Sequence, residues 1–240
     1  MSFPQSQGLR DYTNIPFELL IAVLSILPFF VLAYFYRSLP QHVPLFLNLN
    51  GEVATWAEKS VLSVFRVPLM AVDTQLICLL MKYGAVQSAT AEPREIKVEQ
   101  VDYRKRHVAL NTGLWDWFRC LVAFKMGAAS LDTIFLSLDR FKFLSRPAFT
   151  ITVTAASLSL AGVIVYGYRF LILKREMKEK FGTRVHKPID ARHVYRGVLY
   201  FNPADSSLFV SKHLFNFANK WAYVFIAGII AYPLLVFSPV

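Results

Sequence analysis

Five long apolar runs, separated by polar and basic segments, dominate the hydropathy pattern of the chain. The runs cover Ile15–Tyr36, Val61–Val86, Leu114–Leu138, Phe149–Leu173 and Trp221–Phe237. A helix needs roughly 20 mainly apolar residues to cross a membrane. The pattern therefore predicts an all-α integral membrane protein, in which about five transmembrane helices form a single domain over residues 1–240. No small-residue cleavage site follows the first run, which favours a permanent anchor over a signal peptide.

The composition agrees with this class of protein. Of the 240 residues, 55% are hydrophobic and 18% are charged, whereas about a quarter of the residues of an average soluble protein are charged. None of the five histidines lies in the middle of a run, which argues against a membrane haem. Cys78 and Cys120 are isolated, and no nucleotide-binding, hydrolase or metal motif is present. We expect no enzyme activity, no cofactor and no metal site.

Basic residues are unevenly distributed among the polar segments. The net charge is +10, and most lysines and arginines lie between the second and third runs or between the fourth and fifth. Cytoplasmic loops carry an excess of lysine and arginine, so the N-terminus and these two segments should be cytoplasmic. Residues 38–60 then form an outward cap loop, residues 174–220 form a basic cytoplasmic loop, and the C-terminus faces outward. We expect the bacterial cytoplasmic membrane, whose anionic inner leaflet suits the basic loops better than nucleic acid does.

Ionisable residues in and beside the second and third runs recur at seven-residue spacing, which places each set on one stripe of its helix. If the two helices run antiparallel, the stripes bring three pairs of opposite charge to equal depths. The predicted pairs are Asp73 with Lys125, Arg66 with Asp132, and Lys59 with Asp139. Charges inside a bilayer usually face protein and find partners. The pairs either lock a helical hairpin, line a path for an ion or a proton, or form a polar pocket for a ligand.

Three further charges do not fit this seam. Lys82 and Asp116 match in depth, but the helical period places them on the far sides of their helices, where we expect them to snorkel or to reach other partners. Arg119 has no obvious partner at its level in the second run. It is therefore a slightly better candidate for a functional charge.

The segment between the first two runs is polar and rich in turn signals. Its sequence over Leu39–Trp56, LPQHVPLFLNLNGEVATW, has two X-Pro steps, an Asn-Gly turn and a closing tryptophan, so we expect an ordered cap. It resembles the signature loop of the bacterial SdpI-like membrane proteins, a family named for immunity to a sporulation-delay toxin. That resemblance implies a sensing or immunity protein that binds a ligand or partner through this loop, and it is carried by Pro40, Pro44, Asn48, Gly51 and Trp56. Alternatively, the Asn-Gly step only turns the chain, since both residue types tolerate positive φ.

Two other segments carry local patterns. Gly197–Phe217 resembles an uncharacterised conserved segment of bacterial membrane proteins, and the matching residues are Asn202, Pro203, Asp205 and Phe209. Its Asn-Pro turn predicts either a small hairpin of Val198–Phe201 with Leu208–Val210 or an element lying on the inner leaflet. Glu95–Tyr103 alternates charged and apolar residues and predicts a short strand or an extended arm.

Three functions are compatible with the sequence. The first is the sensing or immunity protein. The second is an accessory structural subunit of a larger membrane complex, motivated by 21 Phe, 11 Tyr and 4 Trp. The third is a small transporter that uses Asp73, Lys125 and Arg119, although the sequence shows no repeat or discontinuous-helix pattern to support it.

Overall fold

Long helices account for most of the described structure. The computed structural model describes residues 9–48, 50–90, 98–181, 194–195, 199–203, 208–211 and 214–237. The α-helices are α1 (Ile15–Phe35), α2 (Val61–Thr90), α3 (Val98–Ser137), α4 (Ser145–Phe181) and α5 (Lys220–Phe237). Short 3-10 helices cover Leu9–Tyr12, Tyr36–Ser38 and Asp139–Leu144. The strands form the antiparallel hairpins β1 (His42–Leu47) with β2 (Val53–Glu58), β3 (Val194–Tyr195) with β4 (Leu199–Tyr200), and β5 (Phe209–Ser211) with β6 (Leu214–Phe215).

Four helical stretches of the described residues are long and apolar enough to cross a membrane. They are Ile15–Ser38, Val61–Gln87, Asp102–Ser137 and Asp139–Lys180. The fifth predicted span is helical as α5, but its apolar part, Lys220–Leu235, is shorter than the other four. The prediction of an all-α protein with about five spans is thus confirmed in part, since the described chain is mostly helical and four of its helices are long and apolar enough to span a membrane. The predicted orientation of the chain stays a prediction.

Three local predictions are corrected. The chain is mostly helical rather than all-α, because short β-hairpins lie between the helices. The strand predicted over Glu95–Tyr103 is wrong from Val98 onward, where α3 begins, since its Glu, Gln, Arg and Lys residues are good helix formers; residues 95–97 lie outside the described part. The chain also pairs β4 with β3 and β5 with β6, because hairpins with short loops lose less entropy on closure than the longer hairpin we predicted.

The described chain divides into two compact units. The first contains Met1–Asn14, Ile77–Asp116 and Gly162–Ala227, and the second contains Ile15–Leu76, Trp117–Ala161 and Gly228–Val240. The loop predicted as an outward cap belongs to the second unit.

In the second unit, α1 lies beside α3 and runs parallel to it. Glu18 of α1 forms an ion pair with Arg119 of α3. Further along both helices, a Cβ atom at Gly127 would lie 3.4 Å from the carbonyl oxygen of Leu24. The two contacts advance together along both helices, as contacts between parallel helices do. The backbones of α1 and α3 therefore lie close together at this level.

The α2 helix packs against the same part of α3 and runs antiparallel to it. Gln75 hydrogen-bonds Arg119, whereas Val64, earlier in α2, packs in one cluster with Ile134, later in α3. This antiparallel arrangement agrees with the helical hairpin that the sequence predicts. The buried core of the unit consists of Leu32, Leu39, Val43, Val64 and Ile134.

In the first unit, the beginning of α3 and the end of α4 lie antiparallel. Arg106 Nη1 donates to Glu176 Oε2 at 3.0 Å, and Gly113 approaches the Tyr166 side chain of α4. A separate buried cluster joins α2 and α5 to the segment around β5, and it consists of Leu80, Leu208, Ala222 and Phe225.

Gly113→Ala is expected to weaken the contact between α3 and α4. The new Cβ would lie 3.2 Å from the Tyr166 hydroxyl oxygen, so the tyrosine must move by a few tenths of an ångström, and this should offset part of the roughly 1 kcal/mol that alanine gains over glycine inside a helix. Gly167→Ala is the matched control, because a Cβ there meets nothing within 4 Å. Thermal unfolding in detergent should give the lower midpoint for the variant at position 113. Adding Tyr166→Phe should restore most of the loss, and equal midpoints for the two glycine variants would argue against the close approach.

Candidate functional site

The segment between α1 and α2 folds as the β1–β2 hairpin, in which Trp56 of β2 is exposed although its partner in β1, Pro44, is buried. Its register pairs Val43 with Ala57 and Pro44 with Trp56. Val43 and Ala57 are only 0% and 6% exposed, and Val43 belongs to the core of the second unit. Trp56, the next residue along β2, is 53% exposed, because successive side chains of a strand point to opposite faces.

Asn48 builds the turn at the tip of this hairpin. Its Oδ1 accepts hydrogen bonds from the backbone N–H groups of Asn50 and Glu52 at 2.9 and 3.0 Å, and its Nδ2 donates to Glu52 Oε2 at 3.1 Å. Gly51 adopts a φ of +80°, which side chains with a Cβ rarely tolerate. A Cβ at this position would also lie 3.2 Å from the Phe149 ring of α4. The geometry therefore gives Asn48 and Gly51 a structural role.

The base of the hairpin is held by Lys59. Its backbone N–H donates to the Gln41 carbonyl oxygen at 2.7 Å, and its Nζ donates to the Leu39 carbonyl oxygen at 2.8 Å. Pro40 between these two acceptors is exposed. The predicted partner of Lys59, Asp139, instead forms an ion pair with Lys142, at 2.5 Å. Lys59 thus links the end of β2 to the residues just before β1, rather than forming the predicted ion pair with Asp139.

The other two predicted charge pairs are not among the ion pairs of the described residues. Lys125 is exposed, and Asp73 is half-buried. Arg66 and Asp132 are both buried, at 1% and 6% exposure. Asp73 Oδ2 and Asp132 Oδ1 are buried oxygens without a hydrogen-bond partner. The stripe that contains them is therefore not the seam that joins α2 to α3.

Arg119 is instead the centre of a buried network that joins α1, α2 and α3. Its Nη1 and Nη2 donate to Glu18 Oε1 and Oε2 at 2.9 and 2.7 Å. Its Nε donates to Gln75 Oε1 at 3.2 Å, and Gln75 Nε2 donates back to the Arg119 carbonyl oxygen at 2.8 Å. Arg119 is 4% exposed, so this two-pronged pairing is a strong one. The expectation that Arg119 lacks a partner in the second run is wrong, because that partner is an uncharged glutamine.

Lys82 and Asp116 form the second buried ion pair. Lys82 Nζ donates to both carboxylate oxygens of Asp116, at 2.8 and 2.9 Å. The Lys82 side chain is 1% exposed and the Asp116 side chain 23%. Their matching depth was predicted correctly, whereas their placement on far sides of the two helices was wrong.

Rotational phase explains both corrections. Gln75 and Lys82 lie on one stripe of α2, and Arg66 and Asp73 lie on another. The step of two residues from Asp73 to Gln75 turns the helix by about 200°. The Gln75 stripe is therefore opposite the Asp73 stripe. On α3, the six residues from Arg119 to Lys125 likewise turn by about 240°. The helices meet through the faces opposite the predicted ones.

The segment around Asn202 is organised by a residue that the sequence reading missed. Asn216, which is 0% exposed, donates from Nδ2 to the Asn202 carbonyl oxygen at 3.0 Å, and its Oδ1 accepts from the Asn202 N–H at 3.1 Å. The sequence does give one indication of this role, because Asn216 is a single polar residue between two phenylalanines. Of the other predicted residues, Pro203 lies exposed in a turn, Phe209 begins β5, and Asp205 lies outside the described residues.

The described residues show no metal-binding group, and the comparisons with known proteins found no match. Within the described ranges, no group of three or more His, Cys, Asp or Glu side chains is placed to hold a metal ion. No protein-family model, curated protein or solved structure matches the chain. The resemblance to the SdpI-like proteins therefore stays a prediction.

Arg119→Leu is expected to lower the free energy of unfolding by about 3 kcal/mol, because it leaves the Glu18 carboxylate without its partner inside the helical unit. We place the loss at the lower end for buried pairs since Glu18 is 23% exposed. The control is Arg106→Gln, whose ion pair with Glu176 is exposed and should contribute about 1 kcal/mol or less. Unfolding in detergent measures both, and equal losses would contradict a central role for Arg119.

Asn48→Ala is expected to loosen the tip of the hairpin without unfolding the protein. The substitution removes the acceptor of the Asn50 and Glu52 N–H groups, so the Glu52 amide should exchange its hydrogen about tenfold faster, the equivalent of about 1.4 kcal/mol. Hydrogen exchange followed by mass spectrometry provides the measurement. Asn50→Ala, which leaves the Asn48 side chain in place, is the matched control, and similar exchange in both variants would refute the assigned role.

Proposed function

We propose that the chain is a non-enzymatic, multi-pass protein of the bacterial cytoplasmic membrane that binds an extracytoplasmic ligand or partner through the exposed residues of β2 in the β1–β2 hairpin. The observation that carries the proposal is the exposed Trp56. Tryptophan is enriched among the residues that supply most of the binding energy of interfaces. A sensing or immunity role is the one that the resemblance of Leu39–Trp56 to SdpI-like proteins implies.

The rigidity of the hairpin supports this assignment. Asn48 closes the tip, Lys59 ties the base, and Val43 is buried in the core. A binding element that is ordered beforehand loses less conformational entropy when it meets its partner. Trp56 is thus presented on a surface whose shape does not have to form during binding.

The polar networks of the helices support a scaffolding role for the buried charges. Arg119 and Lys82 are both engaged in ion pairs with two-pronged geometry, as expected of groups that hold helices together. This favours a fixed helical frame that carries the hairpin over a transporter in which the same charges move.

Site-specific photo-crosslinking in native membranes tests the proposed binding surface. A crosslinker at position 56 should give one dominant protein or peptide adduct, which Asn48→Ala should reduce by disordering the tip. The control position is 151, since Ile151 of α4 is 46% exposed and should contact lipid only. Identical adduct patterns from positions 56 and 151 would exclude the hairpin as the binding surface.

Trp56→Ala should weaken binding of the crosslinked species by about 30-fold or more, as expected when a central tryptophan contributes about 2 kcal/mol. Trp117→Ala is the matched control, because Trp117 is a partly exposed tryptophan of α3. Affinity can be measured with the identified ligand and the purified protein in nanodiscs. The alternative is that the chain is an accessory subunit of a larger membrane complex. Migration with a large assembly on a native gel, unchanged by Trp56→Ala, would support that alternative.

A further inference from the structure

A strip of exposed basic side chains lies where α3 begins and α4 ends, within the first unit. The exposed members are Lys105, Arg106, Arg169, Lys174 and Arg175. Arg169 is the unusual one, because it lies inside the apolar run Phe149–Leu173 rather than beyond it. An arginine that faces lipid is costly unless its guanidinium reaches an anion or water.

The seam between α3 and α4 shows which way these residues face. Arg106 and Glu176 meet at one side of the seam, and the rings of His107 and Phe170 meet at the other, with centroids 5.3 Å apart. At 100° per residue, Arg169 and Arg175 of α4 lie within about 100° of Glu176. Lys105 of α3 points away from α4, about 150° from the middle of the seam.

The positive charge on this side is only partly neutralised. Glu176 is engaged by Arg106. Within the described ranges, no ion pair involves Lys105, Arg169 or Arg175. Arg169 and Arg175 therefore leave positive charge on this face of α4, where an anion from outside the chain can reach it.

The same side of α4 carries exposed apolar side chains below Arg169 and between Arg169 and Arg175. Val165, Tyr168 and Ile172 are 49%, 65% and 38% exposed, and they share this face with Arg169 and Arg175 at helical spacing. Tyrosine prefers the boundary between the hydrocarbon region and the headgroups. An apolar strip that ends in a basic cluster has the two-part chemistry of a phospholipid, with acyl chains below and phosphate above.

We propose that this face of α4, on which Arg169 and Arg175 lie beside Val165, Tyr168 and Ile172, binds an anionic phospholipid. Arg169 extends toward the headgroup level and donates to the lipid phosphate, and Arg175 completes the contact with it. Arginine is suited to this because its planar donors match a phosphate in two-pronged geometry. None of these residues belongs to the hairpin, so the site does not depend on the function proposed above.

The test uses the full-length chain in detergent and counts bound lipid by native mass spectrometry. Phosphatidylglycerol should bind well above phosphatidylcholine, and Arg169→Gln with Arg175→Gln should lower the affinity for phosphatidylglycerol about 25-fold, roughly fivefold for each charge removed near the phosphate. Arg37→Gln with Arg146→Gln, two exposed arginines of the second unit, is the matched control and should change the affinity less than twofold. Arg169→Lys should lie between the wild type and Arg169→Gln.

Three outcomes would overturn the proposal. Equal losses in the two double variants would reduce the effect to total charge, and equal binding of the two lipids would remove the selectivity for an anion. Inorganic phosphate that binds as tightly as phosphatidylglycerol would assign the basic residues to a soluble anion instead. Because all the substituted arginines are exposed, unchanged thermal unfolding of each variant should separate loss of lipid from loss of fold.

Discussion

The guanidinium group of Arg119 is the constraint on which the arrangement of the first three helices depends. A charge with 4% exposure inside an apolar helical unit requires several partners at once, because an unpaired charge there is far costlier than the packing it displaces. Glu18 supplies the counter-charge from α1, and Gln75 supplies both an acceptor and a donor from α2. One side chain thereby fixes the depth of α1, the rotation of α2 and the face of α3, while the apolar contacts of Leu32, Val64 and Ile134 fill the space that this leaves.

The sequence was sufficient to place these helices and their depths, but not their rotation. The hydropathy pattern located α1 to α4, and the antiparallel matching of depth correctly set Lys82 level with Asp116. A seven-residue period, however, identifies stripes without saying which stripe faces a neighbour. Asp73 and Lys125 were predicted to meet because their charges are opposite. The actual seam between α2 and α3 instead uses the uncharged Gln75, which hydrogen-bonds Arg119. Glu18 lies 101 residues from Arg119, and nothing local to either residue predicts that α1 would approach α3.

The hairpin shows a different balance between what local sequence encodes and what tertiary packing adds. The Asn-Gly step and the two prolines predicted an ordered turn, because Asn48 and Gly51 suit left-handed and side-chain-bonded conformations. The Phe149 ring that lies beside Gly51 belongs to α4, far along the chain, so the local sequence does not predict this contact. The two strands are also too short for period-two alternation to have indicated β1 and β2. A loop shaped by its own turn residues and then fastened by Lys59 can present Trp56 without help from a partner.

The chain handles charge within its apolar helices in two distinct ways, and the difference bears on what surrounds it. Arg119 and Lys82 face protein, and the protein itself supplies their counter-charges. Arg169 faces outward on α4, beside Tyr168 and Ile172, where the described chain provides no acidic partner. For these two buried groups the counter-charge has to come from the protein, since solvent and lipid headgroups cannot reach them. An exposed charge must instead find its counter-charge outside the chain. Arg169 therefore indicates the composition of the surrounding membrane rather than a contact within the fold. The position of Arg169 just inside the apolar run sets the depth at which that environment must become anionic.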